Sequence, residues 1–376
     1  FGDDRKPQGQ FKYTKLDEMF PGYTYNMGKS TYRDEITGEG GYVYAEPGVY
    51  ENVAVLDVAS MHPTSIEQLD MFGDYTEKFS TIKTARVAIK RKDVDKVKEL
   101  LGEKISRYLD DAKMAKALSD ALKIAINSVY GLTSARFENP FKDPRNIDNI
   151  VAKRGALFMI DLKHAVQEQG FQVVHIKTDS IKIPNATPEI IQFVMDFGAR
   201  YGYDFEHEET YRKMALVNDA VFIAQKSDGS WSATGAQFAH PYVMKRLFTK
   251  EPIEFKDMCE TKTVQTSMYI DYTGLDDTPM ALSLNENNMK FVGKAGSFCP
   301  IEPGGGGGYL LREKDGEFSA VTGTKGWFWL EAEMVQTLKK EEFIDIKYFE
   351  RLVDNAIDTI NKYTTDILTF EWFVGA

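Results

Sequence analysis

The sequence predicts a protein of mixed helices and strands, α/β in the broad sense and α+β in detail. Three observations predict it. Val53–Val58 (VAVLDV) is a short apolar run ending on one carboxylate, Asp57, the pattern of a buried strand. Phe171–Ile176, a tight turn Lys177-Thr178-Asp179-Ser180, and Ile181–Ile183 before Pro184 read as a strand, a turn and its return. Apolar residues recur at helical spacing over about 92–101, 110–130 and 147–169, which no strand can use.

In chain order, the strand at 53–58 leads to a helix at 64–72. A helical hairpin follows, with Gly102 as the break between its arms, and then a long amphipathic helix closed by Gly170. Such glycines end helices because they adopt the left-handed conformation at no steric cost. After the turn at 177–180 come a helix at 188–200 and strands over 206–224. Beyond Pro241 the pattern gives a helix, an irregular β-like region, and helices at 327–340 and 345–362. The Gly304–Gly308 run reads as a flexible loop. With 376 residues the chain exceeds what one core organises, so two or three packed units are expected.

The composition, 43% hydrophobic and 27% charged, is that of an ordinary soluble globular protein. No apolar run approaches a membrane span and no signal-peptide layout opens the chain. Cys259 and Cys299 could form at most one bridge, so a reducing compartment, the cytoplasm, is expected. A first residue of Phe suggests a piece of a longer chain. The net charge of −11 at first argues against a nucleic-acid partner, but its location changes that. Residues 1–250 carry 34 basic and 35 acidic side chains, whereas 251–376 carry 12 and 22. Residues 78–123 hold 13 Lys/Arg against 7 Asp/Glu, a local excess able to attract a polyanion within a Debye length.

Several short patterns carry nothing. Gly28-Lys29-Ser30 ends like a phosphate loop but has Tyr23 where the glycine is required. The five histidines lack zinc spacing, and Asn185-Ala186-Thr187 is a chance glycosylation triplet. Two aspartates stand apart. Asp57 ends a hydrophobic strand and Asp179 sits in a hairpin turn. Each alone could cap a turn or pair with a lysine. Together, on adjacent strands, they suit a Mg²⁺ site, because hard cations take carboxylate oxygens and are completed by water and substrate phosphates. Between them, Lys123, Asn127 and Tyr130 fall four and three apart and share one helix face. A cation, an amide and a ring on one stripe suit a nucleotide; the bland reading is a polar seam.

These segments resemble a known family. Gly40–Val43, Pro47–Val53 and Asp57–Ile66 (DVASMHPTSI) resemble the approach to motif A, and motif A itself, of family B DNA polymerases. Lys123–Gly131 (KIAINSVYG) is similar to motif B, and Lys177–Ser180 to motif C. The resemblance spans residues 40–224 well and 225–260 loosely, with a bacteriophage flavour. It implies a right hand: palm at 1–78 and 135–240, with an antiparallel sheet; short helical fingers at 79–134; a thumb-like or family-specific region at 241–376. The implied activity is DNA-directed addition of dNTPs to a primer 3′-OH by two-metal phosphoryl transfer, in phage DNA replication.

By resemblance, Asp57 and Asp179 are catalytic and hold two Mg²⁺ ions, with Mn²⁺ as a substitute and the Val58 carbonyl as a further ligand. Ser60, Met61 and His62 present backbone N–H groups to the triphosphate, and Lys123 neutralises it. Asn127 and Tyr130 line the nascent base pair. Arg86, with Lys90, is a further triphosphate candidate from charge and position. Where the family commonly has a Tyr that gates the sugar, this chain has His62. The first Asp of motif C is Lys177, a cation expected to depress the Asp179 pKa. The basic primer-gripping element appears as Asp219-Ala220-Val221-Phe222, so primer contacts are assigned to Lys245 and Arg246. The implied partners are primer–template DNA, dNTPs, and an N-terminal exonuclease domain or other replisome proteins, with no membrane and, for a phage protein, a bacterial host cytoplasm. Two alternatives remain. One is a catalytically silent module that binds primer–template or a replisome partner, against which both aspartates and Lys123 count. The other is an RNA-synthesising, primase-like palm enzyme, which His62 favours.

Overall fold

A computed structural model describes residues 9–38, 40–143, 146, 149–272, 288–364 and 367–375. The chain divides into two units, residues 1–219 with 224–229, and residues 220–223 with 230–376.

The first unit opens with one helical turn, α1 (Leu16–Met19), and a three-stranded meander, β1 (Thr24–Asn26), β2 (Lys29–Tyr32) and β3 (Glu35–Thr37). β4 (Val43–Ala45) and the long β5 (Gly48–Val58) follow. Next come α2 (Met61–Gln68), α3 (Thr76–Lys90), α4 (Val94–Leu101), α5 (Ala112–Thr133) and α6 (Ile150–Glu168). A hairpin, β6 (His175–Lys177) and β7 (Ser180–Ile183), then α7 (Pro188–Arg200), β8 (Phe205–Asn218) and β9 (Val221–Lys226), complete this stretch.

Five of these strands lie side by side in the order β8-β5-β7-β6-β4, each pair antiparallel. β5 is therefore interior, and Val53, Ala54, Val55 and Leu56 are buried in succession, so both faces of the sheet are covered there. α6 is buried over ten consecutive residues, Val151–Ile160, as a helix packed on all sides must be. Its Gly155 lets α2 approach, since a Cβ there would lie 2.6 Å from Met61 Sδ. α7 begins as its sequence dictates, with Thr187 accepting from the Ile190 N–H and Pro188 in the first turn.

Two expectations in this unit need correction. The helix expected at 64–72 starts at Met61, because Ser60 takes the left-handed conformation (φ 57°) that turns β5 straight into α2. The expected hairpin of 92–101 with 110–130 is a packing of α3 with α5, in which α4 is a short insert. Ala88 and Ile89 of α3 and Val97 of α4 form its small core with Leu118 and Leu122 of α5.

The second unit contains β10 (Trp231–Thr234), α8 (Ala236–Ala239), α9 (Pro241–Met244), β11 (Glu260–Asp271), β12 (Met289–Ile301), β13 (Tyr309–Lys314), β14 (Glu317–Ala320) and β15 (Phe328–Glu331). α10 (Ala332–Thr337), α11 (Ile346–Asn361) and α12 (Ile367–Val374) close the chain. Its antiparallel sheet has the order β14-β13-β11-β12-β15. One face buries Met268, Ile270, Phe298 and Leu310 in a core with Trp329, Tyr348 and Phe349. Residues 328–331, expected as helix, are β15: Trp329 and Leu330 are buried where the run pairs along β12, and a short apolar run does not distinguish strand from helix. The Gly304–Gly308 run is a packed turn instead of a flexible loop. Gly308 exchanges backbone hydrogen bonds with Trp329 (2.9 and 2.7 Å), and a Cβ on Gly307 would meet Trp329 backbone at 3.0 Å. Cys259 and Cys299 are free thiols with their sulfurs 3.7 Å apart. Among the described residues no helix is long and apolar enough to cross a membrane.

Candidate active site

Asp57 is the penultimate residue of β5, opposite Ser180 of β7 and Glu206 of β8. Asp179 occupies the two-residue turn between β6 and β7, where Thr178 adopts φ 56°. Main-chain hydrogen bonds fix the two carboxylates in one place. Val58 N–H donates to Asp179 O (2.8 Å), Thr178 N–H to Tyr42 O (2.9 Å), and Ala59 N–H to Asp204 O (2.8 Å). Asp57 thus stands on the ladder and Asp179 in the turn of the neighbouring hairpin.

A pocket of about 260 Å³ lies over this end of the sheet. Asp57, Val58 and Asp179 form its floor with the first turn of α2, residues Ser60, Met61 and His62. α3 contributes Arg86 and Lys90, and α5 contributes Lys123 and Asn127. Arg86 donates to Ser60 Oγ at 3.3 Å, tying α3 to the start of α2. Tyr130 is not in the lining. It stacks on His62 with ring centroids 5.3 Å apart and planes 6° apart, and its hydroxyl donates to Asn149 Oδ1 at 3.1 Å. Lys245 and Arg246 belong to the second unit. There the Lys245 ammonium is held by Asp257 (2.8 Å) and the Pro252 carbonyl, while Arg246 is exposed.

Two carboxylates in the pocket were not singled out in the sequence, Glu206 and Glu208 of β8. The ladder between β5 and β8 explains Glu208. Val55 opposes Glu209 and Leu56 opposes His207, so Glu208 is the extra residue of a β-bulge and is turned toward Asp57. Phe-Glu-His-Glu-Glu reads in sequence as a solvent-facing strand end; only the bulge distinguishes Glu208, and bulges depend on the partner strand.

The charges interact strongly. A hydrogen bond to Asp57, then burial, push the Glu208 carboxyl up to about 7. Asp179 is open to solvent at its turn, yet desolvation by the protein around it, followed by the Asp57 charge, pushes its carboxyl up. That reverses the expected depression by Lys177, whose side chain is exposed; desolvation and a like charge outweigh the pull of Lys182 and Lys90. Lys182 lies two residues beyond Ser180 on β7, the same face as Asp57. It is 5% exposed, and burial pulls its ammonium down to about 8 against the attraction of Asp57. It touches His175 Nδ1 (3.1 Å), whose Nε2 meets the Asp219 carbonyl (3.0 Å). Burial also lowers His62, which keeps its imidazole neutral beside Tyr130.

Among the described residues no three His, Cys, Asp or Glu side chains are gathered to hold a metal ion by themselves. The two aspartates nevertheless fit Mg²⁺. Asp57 Oδ1 is buried with no hydrogen-bond partner, an orphan acceptor that a cation would satisfy. A site with two carboxylates and the rest of its ligands from water and substrate suits that ion.

No family model matches the chain. Over 163 residues it is 31% identical to DNA polymerase II of Escherichia coli (strain K12), an alignment covering 38% of this chain. The chain spans 19% of the length of that relative. Among solved structures, the family B DNA polymerase of the hyperthermophilic archaeon Pyrobaculum calidifontis overlays 86% of this chain and 46% of its own, with a TM-score of 0.46 and 12% identity. Part of this chain is thus distantly similar in sequence to a DNA polymerase.

Proposed function

We propose that this chain is the nucleotidyl-transfer core of a family B, phage-type DNA polymerase, which extends a primer 3′-OH with dNTPs on a DNA template. The observation that carries the reading is the single pocket where Asp57 and Asp179 face Arg86, Lys90 and Lys123. Four acids, Asp57 and Asp179 with Glu206 and Glu208, beside three bases suit a metal ion and the polyphosphate it would carry. In this reading β4–β8 with α6 and α7 are the palm, α3–α5 are the fingers, and residues 241–376 are a thumb-like or family-specific region.

Asp57, Asp179 and the Val58 carbonyl would hold two Mg²⁺ ions, which when bound supply charge neutralisation at the entering and leaving oxygens. The chain's own residues do the positioning. Backbone N–H groups at the start of α2 face the triphosphate, as helix N-termini do for anions. Arg86, Lys90 and Lys123 bind its oxygens, and Asn127 with His62, which Tyr130 backs by stacking, walls the sugar and base. Catalysis then rests on alignment and prearranged charge. Closure of α3–α5 on a correct nucleotide would carry Lys123 to the triphosphate.

Primer extension with Mg²⁺, run in parallel with dNTPs and rNTPs, tests the reading. Extension with dNTPs that is lost in Asp57→Asn and Asp179→Asn is expected. Binding of primer–template without any extension would instead make this a silent module. Equal use of rNTPs would make His62 the mark of an RNA-synthesising enzyme.

A further inference from the structure

The sheet of the second unit buries one face and leaves the other open. On the open face, Tyr269 of β11 opposes Phe291 of β12 and Leu311 of β13, and Glu313 of β13 opposes Phe318 of β14. The three rings touch: Tyr269 lies 5.5 Å from Phe291 and 5.5 Å from Phe318, edge to face in both cases. Phe291 is 61% exposed, Phe318 43% and Tyr309, next along β13, 42%. Isolated exposed apolar residues are ordinary, but a contiguous aromatic cluster crossing four strands marks a surface that is covered in use.

The charges on this face identify its occupant. Side chains alternate along strands, so Asp271 shares the face of Tyr269, and Glu313 shares that of Leu311. Lys290 and Arg312 fall on the alternate positions, whereas Lys294 is exposed beyond the register shift at Gly293. Lys290 opposes the buried Ile270 and reaches Glu331 (3.0 Å), and Arg312 opposes the buried Met268 and donates to Ser319 (3.2 Å). The open face therefore offers aromatic rings and carboxylates, in a region (251–376) with 12 basic and 22 acidic residues. Bases can stack on such rings, but nucleic-acid platforms surround their aromatics with cations, whereas here the carboxylates of Asp271 and Glu313 share the face and Lys294 is the one exposed base of β12. A second copy of the same face would set carboxylates against carboxylates. What fits is a protein segment with Lys or Arg beside apolar side chains, whose cations meet carboxylates and ring faces while its apolar groups fill the aromatic cluster.

We propose that the open face of β11–β14, built on Tyr269, Phe291 and Phe318, is a docking surface for a basic, apolar segment of a partner protein. It is independent of the polymerase reading.

The test is fluorescence anisotropy on the whole chain with three labelled probes: a peptide alternating Leu and Trp with Arg, the same peptide with Glu for Arg, and an oligo-dT strand. The Arg peptide is expected to bind at least about 10-fold tighter than the Glu peptide, a difference of about 1.4 kcal/mol. Phe291→Ser/Phe318→Ser is expected to weaken the Arg peptide by about 10-fold or more, as loss of anchor residues does. Should the double variant lose its fold by circular dichroism, Phe291→Ser alone, at the most exposed ring, serves with an expected weakening of about 5-fold. Equal binding of both peptides, binding indifferent to the Phe variants, competition by oligo-dT, or self-association in sedimentation that the Phe variants abolish would each overturn the proposal.

Discussion

The two units use their sheets in opposite ways. In the first, β5 is buried over Val53–Leu56 and its end carries the candidate site, where charged side chains gather at strand termini and a turn. In the second, a cluster of rings, Tyr269, Phe291 and Phe318, stands exposed or half-exposed on one face of the sheet. The contrast separates two kinds of exposure. Polar groups concentrated at a strand end can be positioned by the ladder to within the tolerance chemistry needs, whereas a broad apolar face supplies area and tolerates imprecision, as binding surfaces do.

If the contrast is right, Asp57→Asn and Asp179→Asn should affect function without affecting the fold. Each is expected to cut primer extension at least about a hundredfold, and Mg²⁺ chelation should abolish it, while the thermal midpoint holds. A matching loss of melting temperature would mean the carboxylates are structural. The second unit should give the reverse. Trp329 is fully buried, so Trp329→Ala is expected to cost about 3–5 kcal/mol in chemical denaturation.

The next effect is a pH dependence centred on the first sheet. His175 is 1% exposed, with Lys182 and Lys177 nearby and the Asp219 carbonyl on its far nitrogen. Burial, then the Lys182 charge, lower its pKa from 6.5 to about 4. The unfolded chain therefore takes up a proton near pH 6.5 that the folded chain refuses until about pH 4. Stability is fully present above the upper value and falls as acid is added, by up to about 1.4 kcal/mol per pH unit. Melting curves between these limits should show His175→Gln with a shallower slope than the parent; identical slopes would remove His175 as the cause. The smallest expected effect is in the second unit, where Phe291→Ser should change stability by no more than about 0.5 kcal/mol, because an exposed ring has little packing to lose. A large loss there would mean that face is core after all.

Much of the first unit was legible in the sequence. The hairpin around Asp179 and the helix 188–200 show their turn and cap residues openly, and Asp57, Lys123 and Asn127 reach one pocket as their motifs implied. What was not legible depends on partners. Glu208 enters the site through a bulge that exists only in the register of β8 against β5. The strand at 328–331 is decided by β12 beside it, and the glycine run by the Trp329 backbone it must touch. α3 hid because its apolar residues are few and its buried side includes small Ala85 and Ala88. Tyr130 shares the stripe but stacks on His62 outside the pocket lining, which periodicity does not reveal.

The main-chain bond from Val58 to the Asp179 carbonyl has one further consequence. The spacing of the two backbone positions is set by atoms that every residue carries, so it survives exchange of the side chains themselves. This corner of the sheet is in that sense a socket whose frame does not depend on what is plugged into it.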